Sequence, residues 1–139
     1  MKDYMNILVA VELVRAVDEK IINEFLDMAK DGSINLHLVH IIEHAYTPTL
    51  FLDSRRKYEA YIRREMSELG ADFDIPERNQ FVIVGNIDKE IVDLLKIIDA
   101  DLLVVGNHGR HGVQSLFHSN HTASLVKSAD CDMLAVKVA

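Results

Sequence analysis

Residues 101–112 read Asp-Leu-Leu-Val-Val-Gly-Asn-His-Gly-Arg-His-Gly, an apolar run that ends in a glycine-rich segment. Such a run is typical of a strand that is buried on both faces, as strands are in a parallel sheet covered by helices. Four more short apolar runs occur at 5–11, 36–42, 81–84 and 133–138. Lys137 interrupts the last run, which indicates an edge strand or a strand that meets a partner.

Three segments between these runs have apolar residues at helical spacing. Their stripes are Ile21, Ile22, Phe25, Leu26, Met28 and Ala29; Tyr58, Ile62, Met66 and Leu69; and Ile87, Ile91, Leu94, Leu95 and Ile98. The expected ends are Gly32 and Gly70 after the first two helices, Asp53 or Ser54 before the second, and Asn86 before the third. A shorter fourth helix is expected over 122–129. Strand and helix alternate throughout, which predicts an α/β protein with a doubly wound, three-layer arrangement.

The composition limits the class of protein further. The chain has 139 residues, and we expect residues 1–139 to form a single domain. The 22 acidic residues outnumber the 15 basic ones, and the resulting net charge of −7 disfavours nucleic acid as a partner. No apolar run approaches the roughly 18 residues that a membrane span needs. Because Cys131 is the single cysteine and the first residues do not resemble a signal peptide, we expect a cytoplasmic protein.

The glycine-rich segment after the fourth apolar run is the strongest candidate for a ligand site. Ligands of open α/β sheets bind beyond the carboxyl ends of the strands. Gly106 and Gly109 would let the backbone approach a ligand closely, and the start of the following helix, near Ser119, would offer N–H groups to an anion. Arg110 would add a positive charge. The spacing is neither the dinucleotide fingerprint nor a Walker loop, so on its own it is also compatible with an ordinary turn.

The whole pattern resembles the universal stress protein family over essentially the full chain. The residues that carry the resemblance are 7–12 (Ile-Leu-Val-Ala-Val-Glu), 38–42 (Leu-Val-His-Ile-Ile), 84–86 (Val-Gly-Asn), 101–109 and 129–136. Family members that bind ATP carry Gly-x2-Gly-x9-Gly-Ser/Thr after the fourth strand. This chain keeps Gly106, Gly109 and the nine-residue gap, but it has Ser119-Asn120 where Gly-Ser/Thr is expected. It also has Glu12 where ATP-binding members have an aspartate.

The resemblance implies both a fold and a function. The implied fold is a five-stranded, mainly parallel sheet with strand order 3-2-1-4-5, of the adenine nucleotide alpha hydrolase-like type. The implied function is that of a dimeric stress-response protein that binds ATP or AMP, with or without Mg²⁺, and pairs through the last strand, Met133 to Val138. The implied nucleotide-binding residues are Ala10, Val11, Glu12, Ile41, Gly106, Gly109, Arg110, Ser119, Asn120 and His121.

Other interpretations stay open or are weaker. A nucleotide-free dimeric scaffold, like universal stress protein A, would act through protein contacts alone. Slow ATP hydrolysis or autophosphorylation is implied by the resemblance, but no positioned base is evident, and we predict no efficient enzyme and no catalytic residues. The histidines of the glycine-rich segment do not complete a metal site. His37 and His40 differ by an odd number and face opposite sides of a strand, so they cannot share an ion; we expect His40 to be a hydrogen-bonded, buried imidazole.

Overall fold

Five strands form one parallel sheet in the computed structural model, which describes residues 4–29, 34–43, 52–107, 126 and 129–138. The strands are β1 (Asn6–Ala10), β2 (Asn35–Ile42), β3 (Gln80–Val84), β4 (Leu102–Asn107) and β5 (Asp132–Lys137). The helices are α1 (Arg15–Ala29), α2 (Leu52–Asp72) and α3 (Ile87–Ile97), with a short 3₁₀ turn at Glu77–Asn79. The strand order β3-β2-β1-β4-β5 confirms the expected topology, and every strand pair is parallel.

Helices cover both faces of the sheet, which divides the core into two clusters. Alternate residues of β1 point to opposite faces: Ile7 and Val9 belong to one cluster, and Leu8 and Ala10 belong to the other. The first cluster includes Phe25 of α1 and Met66 and Leu69 of α2, and the second includes Ile91, Leu94 and Leu95 of α3 together with Val126. This arrangement is the predicted three-layer fold. Residue 126 is helical, and the rest of the expected fourth helix before Ala129 lies outside the described residues.

The apolar stripe of α1 is narrower than the sequence suggested. Ile21, Ile22 and Phe25 are buried, whereas Leu26 and Met28 are 37% and 42% exposed. At about 100° per residue, Leu26 and Met28 lie on the two flanks of this stripe, whereas Ala29, at the end of the same helix, still packs against the core. The expected end at Gly32 lies outside the described residues.

The expected caps of α2 are wrong, and that of α3 is confirmed. Helix α2 already includes Leu52, so neither Asp53 nor Ser54 precedes it, and the helix continues past Gly70. It ends because Asp74 takes a left-handed conformation (φ 55°), which lets the Ile75 N–H donate to the Gly70 carbonyl at 2.8 Å. At α3, the Asn86 side chain accepts a hydrogen bond from the Lys89 N–H at 3.0 Å, as an N-cap does.

Asp99, which follows the C-cap residue Ile98 of α3, offers a test of these helix ends. It also has a φ of 55°, where an L-residue with a side chain costs roughly 1–2 kcal/mol. Glycine avoids that cost but loses more freedom on folding, so we expect Asp99→Gly to raise the free energy of unfolding by about 0.5–1 kcal/mol. Urea denaturation measures it. The control Lys96→Gly, inside the last turn of α3, should instead lower stability by about 1 kcal/mol, and a loss in both variants would contradict the account.

Candidate functional site

The carboxyl ends of β1 and β4 form the switch point of the sheet. These strands are neighbours at its centre, and the chain leaves β1 for the face covered by α1. After β4 it reaches Val126, which packs in the cluster on the opposite face. Ligands of doubly wound sheets bind in the crevice that this divergence creates. The register pairs Val9 with Val104, so Val11 and Gly106, each two residues further along, lie level at this edge.

Five of the residues implied by the resemblance lie among the described residues, at the carboxyl ends of the three central strands. Ala10 and Val11 are each 4% exposed, with their side chains in the core clusters on opposite faces, so they can offer a ligand only their backbone. Glu12, Ile41 and Gly106 are half-buried. The remaining residues, which lie outside the described part of the chain, are Gly109, Arg110, Ser119, Asn120 and His121.

Two side chains hold the peptide bond that joins Val11 to Glu12. Nδ1 of His40 lies 2.9 Å from the Val11 carbonyl oxygen, and the Glu12 N–H donates to Oδ1 of Asp18 at 2.9 Å. The Val11 N–H still donates to the Val39 carbonyl, which continues the pairing of β1 with β2. Directly after β1, the backbone groups are therefore hydrogen-bonded by side chains rather than by the neighbouring strands. The expectation that His40 is hydrogen-bonded is confirmed, although its side chain is half-buried rather than fully buried.

Asp18 is a buried carboxylate at this edge of the sheet that the sequence patterns did not identify. It lies in the first turn of α1 and is 1% exposed. Burial raises its pKa from 3.8 to about 6, while the N–H groups of Glu12, Leu13 and Val14 act in the opposite direction. No described residue hydrogen-bonds to its Oδ2. One feature of the sequence could have drawn attention to Asp18. Val14, which directly precedes α1, has no side-chain oxygen with which to cap the helix.

The pKa of His40 is shifted in the opposite direction to that of Asp18. Burial is the largest influence and lowers the pKa of His40, while its contact with the Val11 carbonyl and the charge of Glu12 partly offset that effect. A neutral imidazole can still donate its Nδ1 hydrogen to the carbonyl. His37 points to the other face, where it stacks on Phe81 with 6.2 Å between the ring centroids. The predicted separation of the two histidines is therefore confirmed, and the described residues contain no group of three potential metal ligands.

A cavity of about 190 Å³ lies between the start of α1 and α2. Its walls are formed by Leu13, Arg15, Asp18, Glu65, Glu68 and Leu69. Arg15 also pairs with Glu19 and Asp72. Three carboxylates face one guanidinium in this cavity, so its charge does not suit the phosphates of a nucleotide.

Strand β5 forms one edge of the sheet among the described strands. It pairs with β4, and its residues alternate only partly between buried and exposed: Val136 is 4% exposed, whereas Met133 is 39% exposed. Ala135 and Lys137 are exposed as well. An open strand edge with exposed apolar side chains can accept a second strand or chain. No helix in the described part of the chain is long and apolar enough to span a membrane.

Comparisons with known proteins agree with this architecture. The sequence model of the universal stress protein family matches residues 3–137. Universal stress protein A homolog 2 of Coxiella burnetii (strain RSA 493 / Nine Mile phase I) is 31% identical over 144 residues, covering 99% of this chain and 98% of that protein.

Two solved structures share the fold. A structure from Pseudomonas aeruginosa UCBPP-PA14 has a TM-score of 0.67 at 23% identity; it matches 96% of this chain, which spans only 47% of that protein's length. A universal stress protein solved in complex with cAMP has a TM-score of 0.58 at 19% identity, with 98% of both chains covered.

The fold is that of a doubly wound α/β protein whose switch point lies at the carboxyl ends of β1 and β4. Within that class, the chain belongs to the universal stress protein family.

Proposed function

We propose that this chain binds an adenine nucleotide, ATP or AMP, in the crevice between the ends of β1 and β4, and acts in the cytoplasm as a dimeric stress-response regulator. The observation that carries the proposal is the level placement of Val11 and Gly106 at the switch point of the sheet, with Glu12 following β1. The solved relative in complex with cAMP supports an adenine nucleotide as the class of ligand. A nucleotide that orders the segment after Gly106 would change the surface offered to a partner.

Each part of the nucleotide has a proposed contact. The backbone of Ala10 and Val11 and the side chain of Ile41 would contact the adenosine, and Glu12 would accept a hydrogen bond from the ribose or the adenine edge. Gly106 and Gly109 would approach the phosphates closely because they lack side chains. Ser119, Asn120, Arg110 and His121 would add polar contacts to the phosphates.

Thermal unfolding in the presence of nucleotides tests the proposal directly. Protein freed of bound nucleotide should unfold several degrees higher with millimolar ATP or AMP, because a ligand at 100 times its dissociation constant adds about 2.7 kcal/mol. GTP serves as the control for non-specific phosphate binding. An equal shift with GTP would contradict recognition of adenine, and no shift with any nucleotide would overturn the proposal.

Replacing Glu12 by alanine should weaken nucleotide binding about tenfold, because a hydrogen bond to a carboxylate contributes about 1.5–3 kcal/mol. Isothermal titration calorimetry measures the dissociation constant. Glu43→Ala is the matched control, because Glu43 follows β2 and its loss changes the net charge by the same amount. Since removing a negative charge favours an anionic ligand in both variants, equal affinities in the two would contradict a specific contact by Glu12.

A nucleotide-free dimeric scaffold is the second candidate function. Two observations favour it: Ser119 stands where nucleotide-binding relatives are expected to have glycine, and β5 presents an exposed edge. In this case the protein would act through its dimer surface and its partners alone. The thermal shift separates the two functions, because the scaffold predicts no stabilisation by any nucleotide.

Both functions include a homodimer through the last strand, and Met133→Lys tests this. Met133 is 39% exposed on β5, and a lysine there would place two like charges across a symmetric interface. We expect the variant to be a monomer of about half the native mass in analytical ultracentrifugation. Met28→Lys, on α1 and 42% exposed, is the matched control and should remain dimeric. A dimer that survives Met133→Lys would argue against pairing through β5.

A further inference from the structure

One peptide bond at the edge of the crevice is held at both of its ends. The carbonyl of Val11 and the N–H of Glu12 belong to the same planar unit, and each is 2.9 Å from a side-chain atom, His40 Nδ1 and Asp18 Oδ1 respectively. Two hydrogen bonds on opposite ends of a rigid plane fix its rotation. The direction in which the Glu12 side chain leaves the backbone is fixed with it.

The backbone one residue further along, at Leu13, is in a strained conformation. Leu13 has a φ of 62°, a left-handed conformation that is an outlier for a bulky residue. Such a conformation persists only where the surroundings impose it. Here the buried Asp18 carboxylate accepts the N–H of Glu12, the residue directly before Leu13. The strained turn is thus tied to α1 through the hydrogen bond from the Glu12 N–H to Asp18.

We infer that Asp18 and His40 are positioning residues that orient Glu12 towards the ligand. The inference rests on the proposed function, because Glu12 is the proposed contact to the nucleoside. Neither residue touches the ligand in this account: each acts through the Val11–Glu12 peptide. Their side chains come from two different elements, α1 and β2, so the peptide is fixed relative to the packed core rather than by its own loop.

Conservative and non-conservative substitutions separate positioning from a purely structural role. Asp18→Asn keeps an oxygen that accepts from the Glu12 N–H, and His40→Asn keeps an N–H that donates to the Val11 carbonyl. Asp18→Ala and His40→Ala remove these groups. We expect the alanine variants to bind ATP about 3–10-fold more weakly, as the loss of one hydrogen bond predicts, and the asparagine variants to recover most of that loss.

A second measurement needs no ligand. In ¹H–¹⁵N NMR spectra of the full chain, the Glu12 amide proton should move upfield and exchange with solvent faster in Asp18→Ala, and Asp18→Asn should restore much of both changes. His37→Asn is the control, since His37 lies on the opposite face of β2 and should leave the Glu12 amide unchanged. If an alanine variant does not fold, the pH titration of the Glu12 amide in the native chain reports the same contact with Asp18.

The outcomes distinguish the inference from the function on which it rests. If the native protein binds no adenine nucleotide, the proposed function is overturned, and the Glu12 amide decides alone whether Asp18 and His40 hold the peptide. If nucleotide binds but both alanine variants bind it as tightly as the native chain, the positioning role is overturned while the function stands. An unchanged Glu12 amide in folded Asp18→Ala overturns the inference in either case.

Discussion

The Phe25→Ala variant is expected to unfold with a free energy about 3–5 kcal/mol below that of the native protein. Phe25 is 2% exposed and belongs to the core cluster in which α1 and α2 cover the sheet. Alanine removes the ring's apolar contacts and leaves a cavity that the surrounding strands can close only in part. Since small domains are stable by about 5–15 kcal/mol, the loss is a large fraction of the total. Urea denaturation measures it.

Leu26→Ala is the matched control for this loss. Leu26 follows Phe25 on the same helix but is 37% exposed, so its removal leaves no closed cavity and should cost less than about 1 kcal/mol. Similar losses in the two variants would mean that the face of α1 is wrongly assigned. The pair also tests a point on which sequence and structure differ. The sequence pattern places both residues in one apolar stripe, whereas the structure buries only Phe25.

The strands could be predicted from the sequence because each is a short, nearly continuous apolar run. Residues 7–11 and 102–105 contain no charged side chain, and a run that is apolar on both faces has few structures other than a buried strand available to it. Helix faces were harder to predict. Apolar spacing locates the stripe of α1 but not its width, so Leu26 and Met28, on the flanks of the stripe, are exposed although the sequence places them in it.

Helix ends illustrate a different limit. Glycine is the residue that takes a left-handed conformation at no cost, and Gly70 is therefore the end that the sequence predicts for α2. The structure uses Asp74 after α2 and Asp99 after α3, both with a φ of 55°. Aspartate is tolerated there, but it is far more common elsewhere in proteins, so composition alone does not single it out.

The candidate site could be located from topology but not completed from it. Strand order places Val11, Glu12 and Gly106 at one edge, because parallel strands all end on the same side. The role of Asp18 depends on a side chain that reaches back from α1 to the Glu12 N–H, and no apolar pattern records such a contact. The assignments of Gly109, Arg110, Ser119, Asn120 and His121 stay predictions from the resemblance.

The pH dependence of stability is the second large effect that we expect, and Asp18 is its source. The pKa of Asp18 is raised from 3.8 to about 6 in the folded protein, chiefly by burial. Well below pH 3.8 the carboxyl group is protonated in both the folded and the unfolded chain, and it contributes no penalty. As the pH rises to about 6 the unfolded chain releases this proton first, so the folded state loses up to about 3 kcal/mol at 1.36 kcal/mol per pKa unit.

Asp18→Asn isolates this contribution, because asparagine does not titrate. The stability of the native protein minus that of Asp18→Asn should fall by up to about 3 kcal/mol between about pH 4 and pH 8, whatever the other groups do. The charged groups nearest to Asp18 are Glu12 in the turn, Arg15 on α1, and Glu65 and Glu68 on α2, and all are present in both proteins.

Asp27→Asn is the control for replacing an aspartate on this helix, because Asp27 is exposed and its loss should change the free energy of unfolding by less than about 0.5 kcal/mol. A flat pH dependence of the difference for Asp18→Asn would mean that the Asp18 carboxylate is ionised without cost. A difference that falls with rising pH would mean that the protein accepts a buried charge at neutral pH. The buried charge lies on the carboxylate that accepts the Glu12 N–H, so its cost is part of the cost of holding that peptide bond.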